Sequence, residues 1–356
     1  MLQLVFGRSG YGKTEYIRNR IADMIDRGET QVLLITPEQY SFISECSLLE
    51  QLGEARAHAV RCLSFSRLCD ECDRLYGADG RKPLTKGGKA ILMKTAIDQV
   101  RPDLELFEKK GSSAAFVQSM TGIYDEMKSC NLSGAAVYAA ADDLDTDILR
   151  CKMRDFSRIM TAYEALLGDR FVDPANRLTR LYDQIKDQNY FAGQTVFLDG
   201  FNGFVAQEYK ILERIIAEAK AVYIALDSDS FGTGDGYDLF AYVNETAGIL
   251  QRIAHKAGVP TNALQLSENC RTDYADLRRV EQYIFADQAP ETEIPAEHIR
   301  LYAASTVTDA CNDLALQVKG LLRCGYRAGE IAVTMRDREK YAPVLASAFE
   351  KYGVPY

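Results

Sequence analysis

The sequence predicts an α/β fold: a parallel sheet covered by helices on both faces and interrupted by an all-helical block. Three observations carry this expectation. Short, nearly continuous apolar runs recur at LQLVF (2–6), QVLLIT (31–36), AVRCLSF (59–65), QTVFLDGF (194–201) and AVYIALDSD (221–229). Strands without polar alternation are the kind buried on both faces by crossover helices. Between the third and fourth runs the period turns helical, as in KGGKAILMKTAIDQV, AAFVQSMTGIYDEMK and DILRCKMRDFSRIMTAYEALLGDR. Finally, the first run leads directly into a glycine-rich turn followed by Tyr16-Ile17-Arg18-Asn19-Arg20-Ile21, which reads as a helix.

That first junction, FGRSGYGKTEY (6–16), is Gly7, four residues, then Gly12-Lys13-Thr14. Strand, glycine-rich loop and helix form the context a P-loop requires. Glycines let consecutive N–H groups and the helix N-terminus face a phosphate. In such a loop, Gly7, Arg8, Ser9, Gly10, Tyr11 and Gly12 would wrap the phosphates of ATP. Lys13 would reach the β- and γ-phosphates, and the Thr14 hydroxyl would hold Mg²⁺.

A P-loop nucleotidase needs a second strand ending in an acid for the metal, usually followed by a glutamate that orients the attacking water. QTVFLDGF supplies Asp199 as the metal-binding acid, but position 200 is Gly. The next glutamate, Glu208, falls on the following helix, too far away to substitute. Loss of a positioned base costs about 10²- to 10⁴-fold in rate, so the residues predict nucleotide binding without brisk turnover. The alternative for Asp199 is a strand-end residue capping the turn into Gly200. Arg271, beyond the fifth run, and Arg336, at the end of IAVTM, are candidates to meet the γ-phosphate charge; surface or ion-paired arginine is the alternative for each.

The helical block includes Asp173 as an N-cap with Pro174 in the first turn. Cys69 and Cys72 form the closest cysteine pair and fall on an amphipathic helix, FSRLCDECDRLYG, with no second pair at metal-site spacing. They read as unligated thiols. Residues 286–297, rich in Pro, Ala and acids, read as a linker. Beyond it HIRLYAAS and EIAVTMRD are expected to be strands, and TDACNDLALQVKGLLRCG and REKYAPVLASAFEKYG helices. Two strands and two helices make a thin core, so the chain is expected to be the front of a longer protein.

Composition excludes some classes. The chain has 356 residues, 47% hydrophobic and 26% charged, with a net charge of −9, which speaks against a nonspecific polycation. Its nine cysteines form no disulfide-like framework and fit a reducing cytoplasm. Residues 1–30 show no signal peptide. No run approaches the roughly 18 apolar residues a membrane span needs, and no membrane partner is expected.

The order of these motifs resembles the front half of a superfamily 1 helicase core. More closely, FGRSGYGKTEY, LLITPEQYSFISE and VFLDGFNGFVAQEYKILERI resemble the AddB family of the bacterial AddAB helicase-nucleases. The resemblance implies a P-loop, RecA-like domain 1A over 1–65 and 190–285, and an inserted helical domain 1B over 66–189. After the linker, it implies the incomplete start of a second RecA-like domain, 2A, over 298–356. It implies a heterodimer with an AddA-type helicase/nuclease partner, action on single-stranded DNA and duplex ends, and a helicase-like motor that is silent in this half of the complex. The nuclease, with an iron–sulphur cluster, would lie outside this chain. By the same resemblance Thr36, Pro37, Gln39 and Tyr40 fall where such motors present a loop to single-stranded DNA, and Ser64 and Phe65 at a similar strand end. Hydroxyls and backbone N–H groups suit phosphates and an aromatic ring suits a base; packing of Tyr40 and Phe42 into the core is the alternative.

The function expected is thus that of an ATP- and Mg²⁺-binding, weakly hydrolysing helicase-like scaffold in double-strand-break processing. An active superfamily 1 motor and a P-loop small-molecule kinase are the rival readings. The long insert and the segment beyond the linker argue against the kinase.

Overall fold

In the computed structural model, which describes residues 1–77, 80–110, 113–229, 239–286 and 290–356, the chain divides into two compact units, Met1–Arg271 and Thr272–Tyr356. The first unit holds the strands β1 (Leu2–Gly7), β2 (Val32–Ile35), β3 (Val60–Leu63), β4 (Lys82–Pro83), β5 (Phe171–Val172), β6 (Thr195–Leu198), β7 (Ala221–Asp227) and β8 (Thr261–Gln265). Six of them form one sheet in the order β3-β2-β6-β7-β1-β8, every neighbouring pair parallel.

Side-chain alternation sends each strand to two cores. On one face Leu2, Leu4, Phe6, Leu33, Ile35, Val196, Leu198, Val222, Ile224 and Leu226 pack together. They meet α4 (Phe65–Tyr76), α9 (Arg177–Ile185), α10 (Ala206–Glu218) and α11 (Ala241–Lys256). On the other face Val32, Leu34, Phe197, Tyr223 and Ala225 meet α1 (Lys13–Asp26) and α2 (Glu38–Leu52). A one-turn α3 (Glu54–Ala57) follows α2. The five runs read as strands from the sequence are all in this sheet.

β8 was not among them. It borders β1 alone, at the sheet edge, and its side chains are half-buried or exposed. An edge strand with one partner needs no apolar run, so TNALQ carries no strong strand signal.

The helical block separates into two parts. Helices α5 (Lys86–Val100), α6 (Ala114–Ser129), α7 (Gly134–Ala141) and α8 (Asp147–Leu167) enclose a core of their own around Met93, Ile97, Met120, Tyr124, Phe156, Ile159 and Tyr163. Helices α4 and α9, within the segment read as the insert, instead cover the sheet through Leu68, Cys69, Cys72, Leu181 and Ile185. The two-residue strands β4 and β5 pair in parallel where the chain enters and leaves the block, a region in which the sequence suggested no strand.

Asp173, fully buried, ties that exit together. Its carboxylate accepts from Lys89 Nζ at 2.8 Å, from Tyr163 OH at 2.6 Å and from the Ala175 N–H at 2.9 Å. The last of these is the N-cap expected of an Asp before Pro174. Lys89 also pairs with Asp125 and lies 5.2 Å from the Tyr124 ring centroid.

In the second unit, α13 (Val307–Arg323) and α14 (Arg338–Tyr352) pack through Cys311, Ala315, Val318, Leu345, Ala348 and Phe349. α12 (Ala275–Tyr283) precedes them, and Asp276 at its start accepts from the His298 N–H at 2.7 Å. The unit begins at Thr272, earlier than the linker read at 286–297, of which residues 287–289 lie outside the described residues. The two strands expected at 298–305 and 330–337 are corrected: among the described residues neither segment forms a strand. A strand exists through its ladder, and these segments have no ladder partner among the described residues. Leu301 is fully exposed, while Ile331, Val333 and Met335 rest on the α13–α14 cluster.

Removing Asp173 leaves Lys89 paired with the half-exposed Asp125 and takes the acceptor from the buried Tyr163 hydroxyl and the Ala175 N–H. Asp173→Ala is therefore expected to destabilise the helical block by about 3–5 kcal/mol, read as a lower midpoint in urea denaturation together with lost amide-exchange protection in α5 and α8.

Candidate nucleotide-binding site

Because the six strands run parallel, their C-terminal ends share one edge, and open α/β sheets bind ligands there. β1 delivers Gly7, β2 leads to Thr36, β6 to Asp199, β7 ends at Asp227, and the segment after β8 carries Cys270 and Arg271. A cleft of about 630 Å³ opens among them, lined by Gly10, Gly12, Lys13, Thr14, Asp199 and Asp227, with Tyr40 and Ile43 of α2 on its rim. That volume lies within the range of small-molecule sites.

The loop is held from both sides. Tyr11 N–H donates to Arg8 O at 3.1 Å, and Tyr16 N–H to Gly12 O at 2.8 Å as α1 begins. Cys270 N–H donates to Gly10 O at 2.8 Å, joining the loop to the segment after β8. Gly10 has φ +88°, and a Cβ there would stand 2.9 Å from the Arg271 Cβ, so only glycine lets the two segments close. Arg271 Nη1 donates to Ser9 Oγ at 3.3 Å. Arg8 pairs with Asp229 at 2.9 Å and lies 5.4 Å from the Phe240 ring centroid. Tyr11 is buried.

Lys13 Nζ donates to Gly7 O at 2.7 Å and Arg8 O at 2.8 Å and pairs with Asp227 Oδ1 at 2.5 Å. Thr14 and the buried Asp199 carboxylate face the same cleft. Burial pushes the Asp199 carboxyl above its usual range; hydrogen bonds from Thr14 and the Gly200 N–H, and the charges of Lys13 and Arg18, pull the other way. A hydroxyl and a carboxylate side by side are hard oxygen donors of the type Mg²⁺ prefers. The residues therefore fit a magnesium nucleotide.

Gly200 has φ +82°, and a Cβ on it would meet Pro37 Cδ at 3.4 Å and Tyr40 Cδ2 at 3.7 Å. A glutamate at this position would be strained by its left-handed backbone, while its Cβ would meet Pro37 and Tyr40 at ordinary contact distances. Glu208 is engaged elsewhere: its carboxylate accepts from the Val205 N–H at 2.9 Å at the start of α10, and burial raises its pKa.

The residues aligned with DNA contact differ in availability. Thr36 is buried at the end of β2, and Pro37 leads into α2. Gln39 is exposed; so is Tyr40, at 47%, and Phe42, at 74%, which removes the core-packing alternative for both rings. Ser64 is buried and caps α4 by accepting from the Arg67 N–H at 3.2 Å. Phe65 is buried edge-to-face on Phe201 with centroids 5.8 Å apart. Arg336 belongs to the second unit, where it is exposed just before α14.

Sequence reasoning missed Asp227, Arg18 and Cys270. The signal for Asp227 was present: AVYIALD, like VFLD, is an apolar run ending in an acid. Among the described residues no group of three or more His, Cys, Asp or Glu could hold a metal ion. Cys69 and Cys72 are core residues, and burial pushes both thiols up to about 12. No helix among the described residues is long and apolar enough to cross a membrane.

Residues 4–281 match the family described as "ADDB, N-terminal". The chain belongs to this AddB family. It is 28% identical over 370 residues to the B subunit of the ATP-dependent helicase/deoxyribonuclease of Clostridioides difficile (strain 630), covering 99% of this chain and 32% of that protein. It is 26% identical over 360 residues to the protein of the same name from Clostridium novyi (strain NT), with coverage of 99% and 32%. The corresponding Clostridium botulinum (strain Langeland) protein is 27% identical over 367 residues, with coverage of 100% and 32%. The chain thus spans about a third of the length of the curated relatives it matches. Within the family match lie the loop, Asp199, Gly200, Asp227 and Arg271.

Asp199 carries a pH signature. Its pKa is raised on folding, so its ionised form opposes folding, and the stability it contributes is present at low pH and lost as pH rises through its folded value. Asp199→Asn is expected to raise the melting temperature of nucleotide-free protein near neutral pH, with the gain shrinking as acid protonates the wild-type carboxyl.

Proposed function

We propose that this chain is the N-terminal, helicase-like region of the B subunit of an ATP-dependent helicase/deoxyribonuclease, that it binds ATP with Mg²⁺ and hydrolyses it poorly, and that it serves as a DNA-binding scaffold. The observation that carries the reading is the convergence of Lys13, Thr14 and Asp199 beneath a glycine-rich loop at the C-terminal edge of the sheet, with a left-handed glycine where a water-orienting acid would stand. A P-loop, RecA-like arrangement is supported by the strand order, in which one strand, β7, separates the loop strand β1 from the acid strand β6.

In this reading the loop N–H groups and the start of α1 hold the phosphates, Lys13 donates to the β- and γ-oxygens, and Thr14 and Asp199 hold the metal. Bound Mg²⁺ would neutralise phosphate charge. Arg271 is positioned on the loop through Ser9 to meet the same charge. No carboxylate follows Asp199 to orient a water, so turnover is slow. Exposed Gln39, Tyr40 and Phe42 offer polar and stacking contacts to single-stranded DNA. The Ser64 and Phe65 side chains, engaged in a cap and in the core, would contribute mainly through backbone.

The relatives are named as the B subunit of a helicase and deoxyribonuclease. By extension the chain would act on DNA ends in recombinational repair, in the cytoplasm, alongside an AddA-type partner. No residue here is assigned to an iron–sulphur cluster or to nuclease chemistry.

Calorimetric titration tests the core of this reading. Wild type should bind ATP in Mg²⁺, and Lys13→Ala should weaken binding by about ten- to hundredfold, the value of a charge-assisted hydrogen bond. A wild-type protein indifferent to ATP and Mg²⁺ would refute it.

A further inference from the structure

We infer that Asp227 competes with the triphosphate for Lys13 and thereby positions the lysine and sets how strongly nucleotide binding depends on Mg²⁺. The inference rests on the nucleotide-binding reading and adds to it a residue that reading does not use.

A lysine ammonium has three N–H donors and no more. All three are matched here, by Gly7 O at 2.7 Å, Arg8 O at 2.8 Å and Asp227 Oδ1 at 2.5 Å. Asp227 is the register partner of Gly7 across the β1–β7 pair, so the sheet itself places this carboxylate at the mouth of the loop. A phosphate oxygen can gain a Lys13 hydrogen bond only by displacing one of the three acceptors. Two are backbone carbonyls at the start of the loop, which cannot withdraw without remodelling it. The third is a side chain at 43% exposure, against 10% for Lys13, and can swing into solvent by rotating about its own bonds. Asp227 is the acceptor that yields.

Two consequences follow. Every nucleotide must break an ion pair on entry, which lowers affinity. The released carboxylate then stands beside phosphate oxyanions, and like charges at short range repel. Bound Mg²⁺ would screen that repulsion, so metal-free nucleotide would be disfavoured more than the magnesium complex.

The test is calorimetric titration of ATP, in Mg²⁺ and in EDTA, into wild type, Asp227→Asn, Lys13→Ala and the double variant, with thermal denaturation to establish that each is folded. Asp227→Asn should bind ATP about two- to fivefold more tightly in Mg²⁺, the range of a partly exposed ion pair. The gain should be larger in EDTA and absent in the Lys13→Ala background. Wild-type binding with no gain in Asp227→Asn, or a gain that persists without Lys13, overturns the inference alone. Weaker binding by Asp227→Asn, or loss of a turnover that wild type shows, would make Asp227 a metal ligand or base and also overturn it. Failure of wild type and Asp227→Asn alike to bind ATP removes the nucleotide reading, and this inference with it.

Discussion

A parallel sheet must bring every strand-to-helix loop on its way out to one edge, and the candidate site depends on that constraint. Gly7, Thr36, Asp199, Asp227 and Arg271 are far apart in sequence, yet each follows or ends a strand of the same six-stranded sheet. Two buried faces fix the register of those strands: Leu33 and Ile35 turn to one core and Val32 and Leu34 to the other. Slipping one strand by a residue would exchange its faces and carry its loop residue out of the cleft.

Within that frame several groups of the site are matched to one another, while Thr36 Oγ1 and Arg18 Nε, which also line the cleft, are buried without a hydrogen-bond partner. Lys13 is neutralised by Asp227, and Ser9 accepts from Arg271. A further cost is the buried Asp199 carboxyl, which burial holds above its ordinary range. Functional sites commonly keep such a cost where a ligand relieves it. Gly200 completes the arrangement. Its left-handed backbone is a conformation that strains any L side chain, a glutamate included.

Much of this was legible in the sequence, and the reasons differ by element. Fully buried strands announce themselves as apolar runs, so β1, β2, β3, β6 and β7 could be read directly, and the glycine spacing from Gly7 to Thr14 located the loop. The edge strand β8 could not be read, because burial on one side asks little of its side chains. The strands expected near Leu301 and Val333 failed for the opposite reason: apolar character was present, but among the described residues pairing, which no single segment encodes, was not. Helices α4 and α9 looked like the rest of the helical block because period reports an apolar face and not which core that face meets. Asp227 had the same strand-end signature as Asp199 but lacked a motif to single it out. Its partner, Lys13, lies on a different element, and only the fold joins them.

The central claim is a phosphate cradle retained beside a position that cannot orient water. Single-turnover hydrolysis of ATP by the wild-type chain, in Mg²⁺ with and without single-stranded DNA, tests it most directly. The account predicts that bound ATP stays largely intact in both conditions. Rapid hydrolysis stimulated by DNA and abolished by Lys13→Ala would contradict it.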